Sequence, residues 1–211
     1  MEYLRRDHTR PLVLGAKNNG LLMWYVDASF AVHPNMRGHT GGGMTMGNGF
    51  PIAVLTKQKL NTRSSTECEL VGVDDMMPII TWTWYFLLLQ GYGIVENLLL
   101  QNNKSSILEQ NGKASSSKRT RHINIRYFFI TDWVNMKEIS LHWFPTKEMV
   151  ADFWTKPLQG SHFRKLRDYI MGRLSCIKPK GDAGSISRAG KRKVSKLDGF
   201  RGHAKVSATI D

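Results

Sequence analysis

An α/β fold is predicted by three observations: short apolar segments punctuated by glycine over residues 21–55, a long uncharged stretch opened by helix-capping residues near position 65, and later strand-like runs separated by helical spacing. Leu21-Leu22-Met23-Trp24-Tyr25-Val26-Asp27 is apolar and aromatic, follows the turn signal Asn18-Asn19-Gly20, and reads as a strand ending on an acid. Thr40 to Met46 and Phe50 to Leu55 are expected to pair with it as an antiparallel meander, with Gly47-Asn48-Gly49 as a hairpin turn. The glycines at 38, 41, 42, 43, 47 and 49 read as turn chemistry, because no phosphate-loop spacing such as G-x-x-x-x-G-K-[ST] occurs among them.

Ser64-Ser65-Thr66-Glu67-Cys68-Glu69-Leu70 holds two overlapping capping boxes, Ser64 with Glu67 and Thr66 with Glu69. The helix they open should run to about Gln90, kink near Pro78 and end at Gly91 to Gly93. Leu98 to Asn102 is then a short strand, Ser105 to Gln110 a small helix, and Gly112 to Arg121 a polar basic loop. Apolar residues at 123, 127, 130 and 134 have helical spacing, and Ile139 to Pro145 alternates like a strand that stops at proline. Thr146 to Val150 should lead into a last helix starting at Ala151-Asp152-Phe153-Trp154, and Phe163 to Ile170 continues as an amphipathic piece.

Composition narrows the function classes. The 211-residue chain carries 30 Lys+Arg against 17 Asp+Glu, a net charge of +13 that favours a polyanionic partner. A Gly-, Ser- and Lys/Arg-rich tail from Lys178 is expected to be disordered and to hold part of that charge, in a cluster at Lys191-Arg192-Lys193. Two cysteines, Cys68 and Cys176, make no disulfide framework, and the start lacks an apolar leader core, so an intracellular setting is expected, in a cytoplasmic particle or the nucleus. The uncharged run from Met76 to Val95 could be taken for a membrane span, but Pro78, Gln90, Gly91 and Gly93 break it and a buried core helix is expected.

Acids stand at the end of the first strand, the start of the first helix and the start of the last helix. If those ends converge, the carboxylates need cations beside them, and hard oxygen ligands suit Mg²⁺ and phosphodiester chemistry. At these residues the chain resembles the ribonuclease H domain of Ty1/copia-type retrotransposon Pol polyproteins, over roughly Leu21 to Leu158. The pieces that carry the resemblance are Tyr25-Val26-Asp27-Ala28-Ser29, Ser64 to Leu70, Asn102-Asn103-Lys104-Ser105-Ser106-Ile107, Lys118 to Tyr127, and Ala151-Asp152-Phe153-Trp154-Thr155-Lys156-Pro157-Leu158.

The resemblance implies a ribonuclease H-like fold with a mixed five-stranded sheet and flanking helices, and two-metal hydrolysis of RNA in RNA–DNA hybrids. It implies that Asp27, Glu69 and Asp152 bind two Mg²⁺ ions, with Glu67 left to cap its helix. Residues 1–20 would be the remnant of a preceding reverse transcriptase segment, 21–158 the nuclease-type domain, 159–177 a helical extension and 178–211 the tail. The upstream reverse transcriptase segments and a hybrid are the implied partners, with Lys118, Arg119, Arg121 and Arg126 as nucleic-acid contacts. His122 reads as structural or as a backbone contact, and His33 and His39 match no metal motif.

One position departs from the family. Asn102 stands where the resemblance implies the third of four catalytic acids, and an amide oxygen cannot match a carboxylate as an Mg²⁺ ligand. The expectation is therefore either an impaired nuclease or a relic that binds nucleic acid without cutting it. A membrane-associated basic protein built around residues 76–95 is the alternative from another class.

Overall fold

The computed structural model describes residues 9–17, 20–103 and 129–175 of the chain. Five strands form one sheet in the order β3-β2-β1-β4-β5: β1 Leu21–Ser29, β2 His39–Thr45, β3 Ile52–Lys57, β4 Glu96–Gln101 and β5 Ser140–Trp143. β1 pairs antiparallel with β2, and β2 with β3, whereas β4 runs parallel to β1 and β5 parallel to β4. The sheet is thus mixed, and its antiparallel half is the meander expected from the glycine-punctuated segments. The small helix expected at Ser105 to Gln110, the basic loop, the contacts Lys118, Arg119, Arg121 and Arg126, and the tail from Lys178 lie outside the described residues.

β1 is the central strand and is buried on both faces, which explains its nearly continuous apolar sequence. Leu22, Trp24 and Val26 join one core with Val73, Met76 and Ile80 of helix α1, Ser65–Leu89. Ile130, from a helical stretch at 129–135 (α2), completes that side. The alternate residues Met23 and Tyr25 join a second core on the other face, with Phe144, Met149, Trp154 and Leu166. Trp154 comes from the single-turn helix α3, Asp152–Thr155, and Leu166 from α4, Gly160–Ile170.

Ser64 caps α1 by accepting a hydrogen bond from the Glu67 backbone N–H at 3.1 Å. The Glu67 carboxylate reaches back one residue further than a capping box requires and accepts from the Arg63 N–H at 2.7 Å. The helix runs unbroken through Pro78, which sits on the solvent side, where a carbonyl deprived of its helical partner can meet water. Its second half exposes Trp82, Tyr85, Phe86 and Leu89, and the Trp82 and Phe86 rings stack with centroids 5.0 Å apart. Among the described residues no helix is long and apolar enough to cross a membrane.

Two expectations need correction. The last helix is not continuous from Ala151: α3 stops after Thr155, and α4 begins only at Gly160. The cause is Pro157, which disfavours helical backbone at the residue before it, and Lys156 is extended at φ −130° and ψ 144°. The glycines at 41, 42 and 43 are also not turn residues, since they lie inside β2, with positive φ reserved for Gly47 and Gly49. Their role is close approach. A Cβ on Gly41 would lie 2.6 Å from Thr155 Cγ2 and 2.9 Å from Trp154 Cβ, so the bare backbone lets α3 settle onto the sheet.

Gly41→Ala should therefore overpack the α3 contact and destabilise the fold by about 1–3 kcal/mol. Urea denaturation followed by tryptophan fluorescence measures this, and an unchanged midpoint would show that α3 is free to shift.

Candidate active site

Three acids from three elements meet beside the C-terminal end of β1. Asp27 lies on that strand, Glu69 in the second turn of α1, and Asp152 is the first residue of α3. They are 1%, 7% and 5% exposed, so all three have lost most of the water that would stabilise their charge. The elements bring them together because α1 and α3 pack on opposite faces of β1. The Thr155 hydroxyl donates to Asp27 Oδ2, and the Ser29 hydroxyl donates to the Thr155 carbonyl oxygen at 2.5 Å, tying α3 to the strand.

A cation already stands among these acids. Lys156 Nζ lies 2.6 Å from Asp152 Oδ1 and 3.5 Å from Asp27 Oδ2. The break before Pro157 places it there: with Lys156 out of the helix, its side chain turns back over the preceding turn. Burial pulls its ammonium pKa down, but the hydrogen bond it donates to Asp152 and the charges of Asp27, Asp152 and Glu69 outweigh that and leave it above the ordinary value.

Burial raises the Asp27 pKa, and the Asp152 charge adds to the rise while Lys156 and Thr155 oppose it. Glu69 is pushed up to about 8, first by burial and then by the charge of Asp27. Gln101, the last residue of β4, donates from Nε2 to Glu69 Oε2 at 3.3 Å and works against that rise.

Asn102 follows Gln101 directly. The parallel register pairs Tyr25 with Leu100, so two residues further on it would set Asn102 level with Asp27. Asn102 is half-buried, and its backbone carbonyl accepts from the Trp143 indole N–H at 3.1 Å. Of the sequence-derived site residues, then, Asp27, Glu69 and Asp152 converge, and Asn102 sits at the adjoining strand end.

Sequence reasoning assigned no role to Gln101, Thr155 or Lys156. Of these, only Lys156 carried a readable signal, its i,i+4 spacing from Asp152. The histidines His33 and His39, which match no motif, meet at 3.3 Å between ring nitrogens, and burial and His33 lower the His39 pKa.

Oxygen donors that bracket an ammonium are of the right chemistry for a hard divalent cation. Yet among the described residues no group of three His, Cys, Asp or Glu side chains is spaced to hold a metal as it stands. The two observations agree if Asp27 and Asp152 form the cation position and Glu69, held by Gln101, stands back from it. The donor set fits Mg²⁺ at the two aspartates, with Lys156 as its stand-in.

A mixed five-stranded sheet of this order, with α1 on one face and carboxyl groups gathered at the end of its central strand, is the α/β architecture that the motif resemblance led one to expect. The sequence is similar to the retrovirus-related Pol polyprotein from transposon TNT 1-94 of Nicotiana tabacum, 26% identical over 172 residues that make up 81% of this chain and 13% of that protein. This agrees with the resemblance to a retrotransposon Pol ribonuclease H domain carried by the motifs.

The chain thus spans about an eighth of the length of that curated relative. No protein-family model matches. Among solved structures it is similar to an N-terminal RNase H domain from Mycobacterium tuberculosis, at 11% identity and a TM-score of 0.45, covering 70% of this chain and 96% of that one. It is also similar to an RNase H1 isolated from compost, solved in complex with an RNA/DNA hybrid, at 14% identity and a TM-score of 0.45, covering 63% and 92%.

The raised Glu69 pKa fixes a pH dependence. Between its ordinary value of 4.5 and about 8, the unfolded chain releases the Glu69 proton while the folded chain keeps it, so stability falls as pH rises through that window. In metal-free buffer the urea midpoint should drop from pH 5 to pH 8, and Glu69→Gln should remove much of the drop. Parallel curves for the two proteins would contradict the assignment.

Proposed function

We propose that this chain is a ribonuclease H-type nuclease domain of a retrotransposon Pol protein, acting on the RNA strand of RNA–DNA hybrids with Mg²⁺, and that Asn102 impairs it. The observation that carries the reading is the convergence of three buried carboxyl groups, from three separate elements, at the end of β1, with two of them, Asp27 and Asp152, forming a cation position. The similarity to a retrotransposon Pol polyprotein and the net charge of +13 support a nucleic-acid substrate. In the Pol setting, reverse transcriptase segments upstream would be its partners.

Bound Mg²⁺ supplies activation of water and stabilisation of the charge that builds on the phosphodiester. Asp27 and Asp152 are the residues that would hold it. Thr155 fixes the Asp27 carboxyl group, Gln101 fixes Glu69, and Glu69 joins once it gives up its proton. Lys118, Arg119, Arg121 and Arg126 are assigned to contact with the phosphate backbone. Asn102 offers only a neutral amide oxygen where a further carboxylate would add charge and a stronger ligand.

A second reading, nucleic-acid binding without cleavage, is favoured by Asn102 together with the ammonium already held on Asp152 and Asp27. A labelled RNA–DNA hybrid separates the two. Asn102→Asp should accelerate Mg²⁺-dependent cleavage by roughly 10²-fold, since positioning and charge stabilisation dominate such chemistry. Asp27→Asn should abolish it. If Asn102→Asp cuts no faster than the parent, Asn102 is not the cause of impairment, and hybrid binding with no cleavage by either protein selects the second reading.

A further inference from the structure

We propose that His33 and His39 form a chelating site for a divalent transition metal that favours imidazole, such as Zn²⁺, separate from the carboxyl groups around Asp27. The inference does not depend on the nuclease-type reading, because neither histidine takes part in that chemistry.

The distance between the two rings carries the argument. His33 Nε2 and His39 Nδ1 stand 3.3 Å apart. An ordinary N–H hydrogen bond spans about 2.7–3.2 Å, so the pair is slightly too wide for one. Two nitrogen ligands at about 2.0–2.1 Å from a tetrahedral Zn²⁺ lie about 3.3–3.4 Å from each other, which is the spacing of this pair. The rings are tilted by 51° with centroids 5.4 Å apart, so they meet through their nitrogen edges and not through their faces. Burial and the neighbouring His33 lower the His39 pKa, which favours the neutral imidazole that a metal needs.

Both rings are held from the backbone. His39 opens β2, paired with Ser29 of β1 on one side and Lys57 of β3 on the other. His33 belongs to the loop between β1 and β2, which folds back on itself: its N–H donates to the Arg37 carbonyl oxygen at 3.2 Å, and its own carbonyl oxygen accepts from the Met36 N–H at 2.8 Å. Asn61 Nδ2 donates to the Asn35 carbonyl oxygen at 3.3 Å and fastens the loop from outside. Two ligands fixed in this way lose little conformational freedom when a metal arrives. A separation of six residues matches no metal motif; a turn followed by a strand start brings the two together.

The site is open, and its selectivity differs from that of the acids. Both histidines are half-buried, and among the described residues no group of three His, Cys, Asp or Glu side chains surrounds a metal position, so water completes the shell. Imidazole suits Zn²⁺, Ni²⁺ and Cu²⁺, whereas Asp27 and Asp152 suit Mg²⁺. In the β1–β2 ladder Asp27 pairs with Gly41 and Ser29 with His39, two residues or about 7 Å further along. A metal there ties the β1–β2 loop to the strand that adjoins the acids and leaves the acids themselves untouched.

Zn²⁺ titration of the full chain by calorimetry, in excess Mg²⁺ to occupy the acids, tests the inference, and pulsed electron paramagnetic resonance of bound Cu²⁺ counts the coordinated imidazoles. The parent should bind one Zn²⁺ through this pair and show two imidazoles on Cu²⁺. His33→Gln and His39→Gln should each weaken Zn²⁺ binding by about 10²-fold, as expected when a chelate is reduced to one ligand, and leave a single imidazole. His162→Gln, on α4, should change neither reading. No Zn²⁺ bound by the parent, or an affinity unchanged in either folded variant, would overturn the proposal. His33 lies in a loop, so the His33→Gln result decides the matter even if His39→Gln fails to fold.

Discussion

Carboxyl groups brought together away from water repel one another and lose hydration at the same time, and the structure around Asp27 is organised to tolerate both costs. Part of the answer is protonation: burial and the Asp27 charge hold the proton on Glu69 up to about pH 8. Part is neutralisation, by the Lys156 ammonium lying on Asp152 and Asp27. The rest is direct hydrogen bonding, from Thr155 to Asp27 and from Gln101 to Glu69. Remove the crowding of acids and none of these arrangements has a reason to exist. The central position of β1 is what imposes it, because α1 and α3 each cover one face of that strand and deliver an acid to its end.

The same helix α1 serves opposite demands along its length. Its first turns are capped and deeply packed, with Glu69 directed to the site and Cys68, Leu70 and Val73 in or beside the core. Beyond Pro78 the outer side carries Trp82, Tyr85, Phe86 and Leu89 in contact with solvent. Burial of the first half fixes the Glu69 carboxyl group beside Asp27. The second half contributes through its inner side, where Ile80 meets Trp24 and Leu22 in the core.

Much of the layout is legible in the sequence because it rests on local signals. The apolar run before Asp27, the Ser64 cap and the glycine at the end of α1 each announce an element within a few residues, and the acids could be located from motif resemblance. What stays hidden depends on tertiary geometry. Gly41 to Gly43 look like loop residues until Trp154 is seen pressed against Gly41 and Gly43, and Met76 against Gly42. Lys156 looks like a solvated lysine four residues from an aspartate. Only the halt before Pro157 and the approach of α3 to β1 bring its charge onto Asp27 as well. Gln101 carries no signal at all, since its partner Glu69 is 32 residues away in the chain.

The pairing around Asn48 has a different kind of consequence. Gly15, near the start of the described domain, and Ser175, at its end, both bridge to this one residue, and Val13 donates its N–H to the Met171 carbonyl oxygen at 2.9 Å. Entry and exit of the chain are thus side by side. A unit with adjoining ends can be spliced between other segments without forcing them apart, and can be re-cut at a surface loop with its old ends joined by a short linker. The domain is in that sense portable: its architecture makes little demand on the spacing of whatever flanks it.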